Sequence, residues 1–284
     1  MPQRWLDESR LALQAAAAGA EMLEQEYRGV LLHVKGNFRD IATEVDVAIE
    51  KQLRAMLGGS KYPVNGEEIK KGPAISFPIK GGRWFVDPID GTVNFISHIP
   101  WYGVSVGLVH DGKFVAGAVA VPARKELFFT MGDSGSFLND RALKAGSAQL
   151  SESLVAASFS GKIYNPAGRT REYELYGALN DASRGCLRTG AAAVNICYCA
   201  AGRFQAAYGI ANKIWDVAGA LAVAARAGCA IYVEWIRGTD RMSYVAGAGH
   251  VAEEIAGRLI DAGLADMHPL RPLSADNATA RRRA

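Results

Sequence analysis

Cysteine is scarce in this sequence, and what there is excludes a disulfide framework. The four residues are Cys186, Cys197, Cys199 and Cys229, and no His or Cys stands at zinc-finger spacing from the Cys197–Cys199 pair. That pair sits in an Ala-rich apolar run and reads as buried thiols. Long apolar runs are missing too: no stretch reaches the roughly 18 uncharged residues a spanning helix needs. The segment Met1–Glu8 has early acids and no apolar core, so it does not read as a signal peptide. A cytoplasmic protein without membrane contact is the expectation. Charge of one sign is also lacking. Lys and Arg total 32 against 29 Asp and Glu, and Arg281, Arg282 and Arg283 account for the +3 balance. A near-neutral body offers no footprint for nucleic acid. The five histidines, His33, His98, His110, His250 and His268, are scattered and receive no role.

The rest of the composition, 49% hydrophobic and 21% charged, is that of an ordinary folded chain. Residues 8–27 are rich in Ala, Leu and Glu and predict a helix. A loop containing Gly36 and Asn37 follows. A second helix is predicted from about Thr43, with Val45, Ile49, Leu53 and Met56 on one face. Residues 83–87 predict a buried strand ending at Pro88. Runs 102–110 and 113–121, joined by Asp111-Gly112, predict a hairpin, and 125–130 predicts a further strand of the same sheet. Beyond residue 150, helices are predicted at 190–202, 216–227 and 250–262, with a strand at 230–233. The resulting division is an N-terminal α+β half (1–150), a C-terminal α/β half (151–268) and a mobile tail (269–284).

Chemistry concentrates at Asp87-Pro88-Ile89-Asp90-Gly91-Thr92. Pro88 fixes the backbone between two carboxylates, which lets them converge on one point. Converging carboxylates repel unless a cation lies between them, and hard oxygen ligands favour Mg²⁺, Mn²⁺ or Ca²⁺. The amides of Gly91, Thr92 and Val93 open a short helix, an anion site. Three further acids have plainer readings beside functional ones. Glu67, in Gly66-Glu67-Glu68, is an exposed turn or completes a metal shell. Asp46 closes a Thr-x-x-Asp capping box or accepts a proton from a nearby hydroxyl. Asp216 caps the helix it opens or is a ligand.

Together these segments resemble the inositol monophosphatase family from about residue 10 to 260. The family's D-P-[IL]-D-G-T-x-N-F motif is matched by Asp87 through Phe95, and W-D-x-A-[AG]-[AG] by Trp215 through Ala220. The resemblance implies an α/β fold, a layered α-β-α-β-α sandwich of the inositol monophosphatase and fructose bisphosphatase type, and a homodimer. It implies two or three Mg²⁺ ions, sensitivity to Li⁺, and hydrolysis of a small sugar, polyol or nucleotide phosphate. Glu67, Asp87 and the carbonyl of Ile89 would hold one ion; Asp87, Asp90 and Asp216 a second; a third would involve Glu67. Thr92, oriented by Asp46, would help deprotonate the attacking water. Asp90, Gly91, Thr92, Val93 and the segment Gly190, Ala191, Ala192 would line the substrate pocket.

Three positions depart from the family pattern. Leu187 stands where an Arg is frequent, with Arg188 one place on; Ala191 replaces a Ser or Thr; and Gly209 replaces a Glu that reads sugar hydroxyls. Gly209 predicts open space and a broad-specificity, inositol-1-phosphatase-like enzyme. Fructose-1,6-bisphosphatase, 3′(2′),5′-bisphosphate nucleotidase and histidinol-phosphatase activities are the alternatives. A regulatory or scaffolding protein, whose Arg281–Arg283 tail contacts RNA or an acidic partner, is the reading from another class.

Overall fold

The Ala-rich N-terminal segment forms α1 (Leu6–Gln25), which buries Ala12, Ala15, Ala16, Gly19 and Leu23 along one stripe. A computed structural model describes residues 4–25, 32–34, 41–69, 75, 77, 79–159 and 168–270. The predicted loop at Gly36-Asn37 lies outside these residues, between the short antiparallel strands β1 (Leu32–Val34) and β2 (Ile41–Thr43). Helix α2 (Glu44–Leu57) buries Val45, Ile49, Leu53 and Leu57 at four-residue spacing.

Next come β3 (Val64–Gly66), β4 (Gly82–Asp90), helix α3 (Thr92–Ile96), β5 (Gly103–His110), β6 (Lys113–Val121), β7 (Glu126–Thr130), β8 (Ser136–Leu138) and β9 (Arg141–Ala142). The seven strands form one sheet in sequence order. Only β3 and β4 pair in parallel there; the other pairs are antiparallel. The β5–β6 turn is made by Asp111 and Gly112, both at positive φ (48° and 72°), as a two-residue hairpin matching the strand twist requires.

The second half supplies β10 (Leu154–Phe159), α4 (Arg169–Ala182), β11 (Gly185–Leu187), α5 (Ala192–Ala200), β12 (Ala206–Lys213), α6 (Ile214–Ala227), β13 (Ala230–Trp235), β14 (Arg241–Gly247), α7 (Gly249–Asp261) and β15 (His268–Pro269). Its sheet runs β11-β10-β12-β14-β13-β15, with β10 parallel to both of its neighbours. Helices α1 and α2 cover the outer face of the first sheet. Helices α5 and α6 fill the space between the sheets, and α4 and α7 pack on the second. The layering is α-β-α-β-α. No helix among the described residues is long and apolar enough to cross a membrane.

Two predicted boundaries move. Strand β4 does not stop at Pro88 but continues to Asp90. The ladder with β5 slips between Asp87 and Asp90, and Pro88 falls in that bulge, where its missing N–H costs no ladder bond. The first two residues of the predicted tail, Pro269 and Leu270, are tied to the second sheet. His268 and Pro269 pair with β13, and the Leu270 N–H donates to the Ile231 carbonyl at 2.8 Å. Residues 271–284 lie outside the described ones.

Helix α6 meets the first sheet through backbone. Gly107 of β5 and Gly117 of β6 are register partners, and Gly219 of α6 lies on the pair. A Cβ on Gly107 would overlap the backbone of Ala218 and Gly219, and one on Gly117 would overlap the Gly219 carbonyl. Gly107→Ala is therefore expected to cost about 3 kcal/mol or more, the upper end of overpacking penalties. Gly177 lies inside α4 with nothing near its missing Cβ, so Gly177→Ala should stabilise by about 0.5–1 kcal/mol. Thermal unfolding of the two variants checks both signs; an unchanged melting point for Gly107→Ala would refute backbone contact between helix and sheet.

Candidate metal centre

Three carboxylates converge where the two halves meet. Strand β3 runs parallel to β4 with Gly66 paired to Val86, so the next residues, Glu67 and Asp87, stand side by side. The first turn of α6 brings Asp216 to the same place. Carboxylate oxygens of Glu67, Asp87 and Asp216 all lie within 4.8 Å of one another. The bulge in β4 aims Asp87: its Oδ1 accepts the Ile89 N–H at 3.0 Å, across Pro88. Thr92 Oγ1 then donates to the Ile89 carbonyl at 2.9 Å. Gly91 turns the chain at φ 90°, and a Cβ there would lie 3.0 Å from both Ala191 Cβ and the Trp101 carbonyl. Only glycine satisfies both the angle and the clearance.

This arrangement is electrostatically costly without a cation. Burial pushes the Asp87 carboxyl well above its ordinary value, and the charges of Glu67, Asp216, Asp90 and Asp46 push it further. Asp216 is pushed up by burial and then by Glu67 and Asp90; Arg241 and the Lys213 amide oppose the rise. Asp90 reaches about 7 because desolvation outweighs the three amides that hold it, with Glu67 adding to the rise.

The two readings of Asp216 are compatible in one side chain. Its Oδ2 accepts the Lys213 N–H at 3.2 Å as a helix cap, while its carboxylate also belongs to the converging cluster. Asp90 is placed less simply. Its Oδ1 accepts the Ala192 N–H at 3.0 Å, and its Oδ2 accepts those of Ala193 and Val194 at 2.8 and 3.3 Å. It thus caps α5 from the other half of the chain. The signal for this was in the sequence: the segment before α5 is Gly190-Ala191, with no Ser, Thr, Asp or Asn to cap the helix itself. Asn94 strengthens the same join, donating to the carbonyls of Trp101 (2.7 Å) and Thr189 (2.9 Å).

Asp46 is buried in the first turn of α2, near enough for its charge to raise Asp87. The Thr92 hydroxyl is directed to the Ile89 carbonyl. Val93 is half exposed and Ala191 fully buried. Gly190 sits against the Asn94 side chain. Arg188 lies on the Phe159 ring at 5.3 Å and donates to the Phe159 carbonyl at 3.3 Å. Cys197 and Cys199 are buried and their thiols pushed up by that burial, as inert core residues should be.

Gly209 is the correction. The expected open space beside it is filled: a Cβ there would overlap Asn212 Oδ1 and the Tyr244 ring. The cause is a register shift in the β12–β14 ladder between Gly209 and Asn212, with Ala211 at φ 54°, which folds Asn212 back over Gly209. Sequence reading also missed Glu50 and Arg54 of α2, whose contacts hold the segment bearing Glu67.

Comparison with known proteins gives the chain's relatives. An inositol-1-monophosphatase named SuhB from Mycobacterium tuberculosis is 34% identical over 238 residues, 80% of this chain and 81% of that protein. A protein named Nus factor SuhB from Pseudomonas aeruginosa is 31% identical over 219 residues, 75% of this chain and 80% of its own length. The solved structure of Mycobacterium tuberculosis SuhB superposes with a TM-score of 0.74 at 28% identity, over 93% of this chain and 99% of that one. A Thermotoga maritima IMPase shares the fold at a TM-score of 0.74 and 22% identity, over 90% and 98%. The profile of the inositol monophosphatase family matches residues 5–262, and the chain belongs to that family.

Proposed function

We propose that the protein is a Mg²⁺-dependent phosphatase of small phosphate monoesters. The observation that carries this reading is the convergence of Glu67, Asp87 and Asp216 within 4.8 Å. Three hard oxygen donors drawn together, with the charge of Glu67 raising both Asp87 and Asp216, suit a divalent cation. A cation held there would supply Lewis acidity to the phosphate ester and to the attacking water.

The chain's own groups supply the rest. The amides that open α3 precede the first intrahelical bond, which runs from the Phe95 N–H to the Gly91 carbonyl, and would receive the phosphate. Asp90 holds the head of α5, and with it Gly190 and Ala191, against this loop. Asp46 lies near enough for its charge to act on Asp87, and Thr92 Oγ1 offers a hydroxyl one hydrogen bond from the Ile89 carbonyl. Position 209 offers no carboxylate to read polyol hydroxyls. We therefore assign broad specificity among sugar, polyol and nucleotide monoesters, with inositol 1-phosphate accepted. The two or three ions, the homodimer and the Li⁺ sensitivity implied by the resemblance belong to the same reading.

Relatives named Nus factor favour a second reading, a partner-binding role without catalysis. Phosphate release decides between the two. Release from inositol 1-phosphate and β-glycerophosphate should vanish in EDTA and return with Mg²⁺; turnover undiminished in EDTA would end the metal reading.

Asp216→Asn retains an oxygen for the Lys213 amide but loses a charge from the cluster. Turnover is expected to fall by more than about a hundredfold, beyond the usual cost of changing a mere outer partner. Its melting point in EDTA near pH 8 should equal or exceed the wild-type value, because repulsion is relieved. Wild-type turnover would return Asp216 to the role of a helix cap alone.

The raised carboxyls also fix a pH signature. In the metal-free fold Asp90 holds its proton up to about 7, against 3.8 ordinarily, so the folded state binds more protons than the unfolded one in between. Stability from this group is full below the ordinary value and is lost as pH rises through the folded one. Scanning calorimetry in EDTA should therefore show a decline between about pH 4 and pH 7 that is smaller in Asp90→Asn, and Mg²⁺ should stabilise more at the upper pH than at the lower. Equal stabilisation at both would place the ion elsewhere.

A further inference from the structure

Helix α2 carries a carboxylate where its apolar face would favour a hydrocarbon. Glu50 is fully buried beside Ile49 and Leu53, and a lone charge in such a place is prohibitive. It is neutralised one turn on: Arg54 Nε donates to Glu50 Oε1 at 2.7 Å. Four further bonds of the pair go to one segment of chain. Glu50 Oε2 accepts the Glu68 N–H at 2.6 Å, and Oε1 accepts the Ile69 N–H at 3.1 Å. Arg54 Nη1 donates to the Val64 carbonyl at 2.9 Å and Nη2 to the Ile69 carbonyl at 2.7 Å.

The segment so gripped, 64–69, contains Glu67. A Cβ on Gly66 would overlap the Glu50 carboxylate, so the residue before Glu67 must be glycine for the grip to close. The residue after it donates its amide to the same carboxylate. Strand β3 is only three residues long and lies at the edge of its sheet, so its ladder alone gives Glu67 little support. A well-packed apolar pair at 50 and 54 could stabilise α2 equally well, but it would leave the Glu68 and Ile69 amides without these acceptors. The ion pair also adds no net charge beside a cluster already strained by repulsion.

We infer that Glu50 and Arg54 are positioning residues that set the carboxylate of Glu67 for metal binding. The inference rests on the metal reading above. Neither residue belongs to the converging cluster; each acts through the backbone on both sides of Glu67. Outer partners of metal ligands typically govern affinity by 10–100-fold.

The test measures, for the full chain, the Mg²⁺ concentration that half-saturates the thermal shift and the one that half-activates hydrolysis of p-nitrophenyl phosphate. Glu50→Gln and Arg54→Lys should raise both about 10–100-fold, with kcat recovering to within a few-fold at saturating Mg²⁺. Leu53→Ala, a core truncation on the same helix, should lower the melting point in EDTA while leaving both Mg²⁺ values unchanged. If the Glu50 and Arg54 variants behave like Leu53→Ala, their role is structural only and the inference is overturned. If Glu50→Gln does not fold, Arg54→Lys, which keeps the charge but breaks the fork, carries the same comparison. A wild type with no Mg²⁺-dependent shift removes the metal reading itself and the inference with it, an outcome seen without any variant.

Discussion

Helix α6 meets the first sheet backbone to backbone at Gly107, Gly117 and Gly219, and the site depends on that seat. Gly107 and Gly117 open a window in β5 and β6, and Gly219 drops into it. Side chains normally keep packed elements apart and let their spacing drift with composition. Backbone against backbone leaves almost no such freedom. The N-terminus of α6 is therefore fixed relative to the end of β4, and Asp216 relative to Asp87. The bulge at Pro88 completes the setting from the other side, by turning the end of β4 toward the helix.

A rigid frame is needed because the groups it brings together repel. Burial and mutual charge push the carboxyls of Asp87, Asp90 and Asp216 upward, so folding without a cation works against the site. The rest of the fold offsets this through ordinary means: a continuous apolar core around α5 and α6 and a second one under α1 and α2. The joins between halves use polar contacts, Asp90 to the amides of α5 and Asn94 to the Trp101 and Thr189 carbonyls. Stability is invested away from the carboxylates, and strain is concentrated at them.

Much of this was legible in the chain. The Asp111-Gly112 turn, the spacing of Val45, Ile49 and Leu53, and the Ala-rich helices follow from local rules, and local rules held there. Of the converging acids only Asp87 was legible from its own neighbours. Glu67 and Asp216 had plainer readings as a turn and a helix cap and entered through the family resemblance. Asp90, expected to converge with Asp87, caps α5. What was hidden depended on distant partners. Glu50 and Arg54 look like an exposed i,i+4 pair until β3 and the Glu67 segment are packed over them. Gly209 reads as space until the shift in β12 lays Asn212 across it. The extension of β4 through Pro88 depends on what β5 leaves unpaired, which no residue of β4 announces by itself.

The cap on α5 limits how Asp90 can serve an ion. A carboxylate offers about four lone-pair directions. Both on Oδ2 are taken by the Ala193 and Val194 amides, and one on Oδ1 by Ala192. One direction on Oδ1 remains. While α5 keeps its cap, Asp90 can meet a cation only through that single oxygen, as a monodentate ligand; a bidentate grip would release the amides at the head of α5 and loosen the wall it forms.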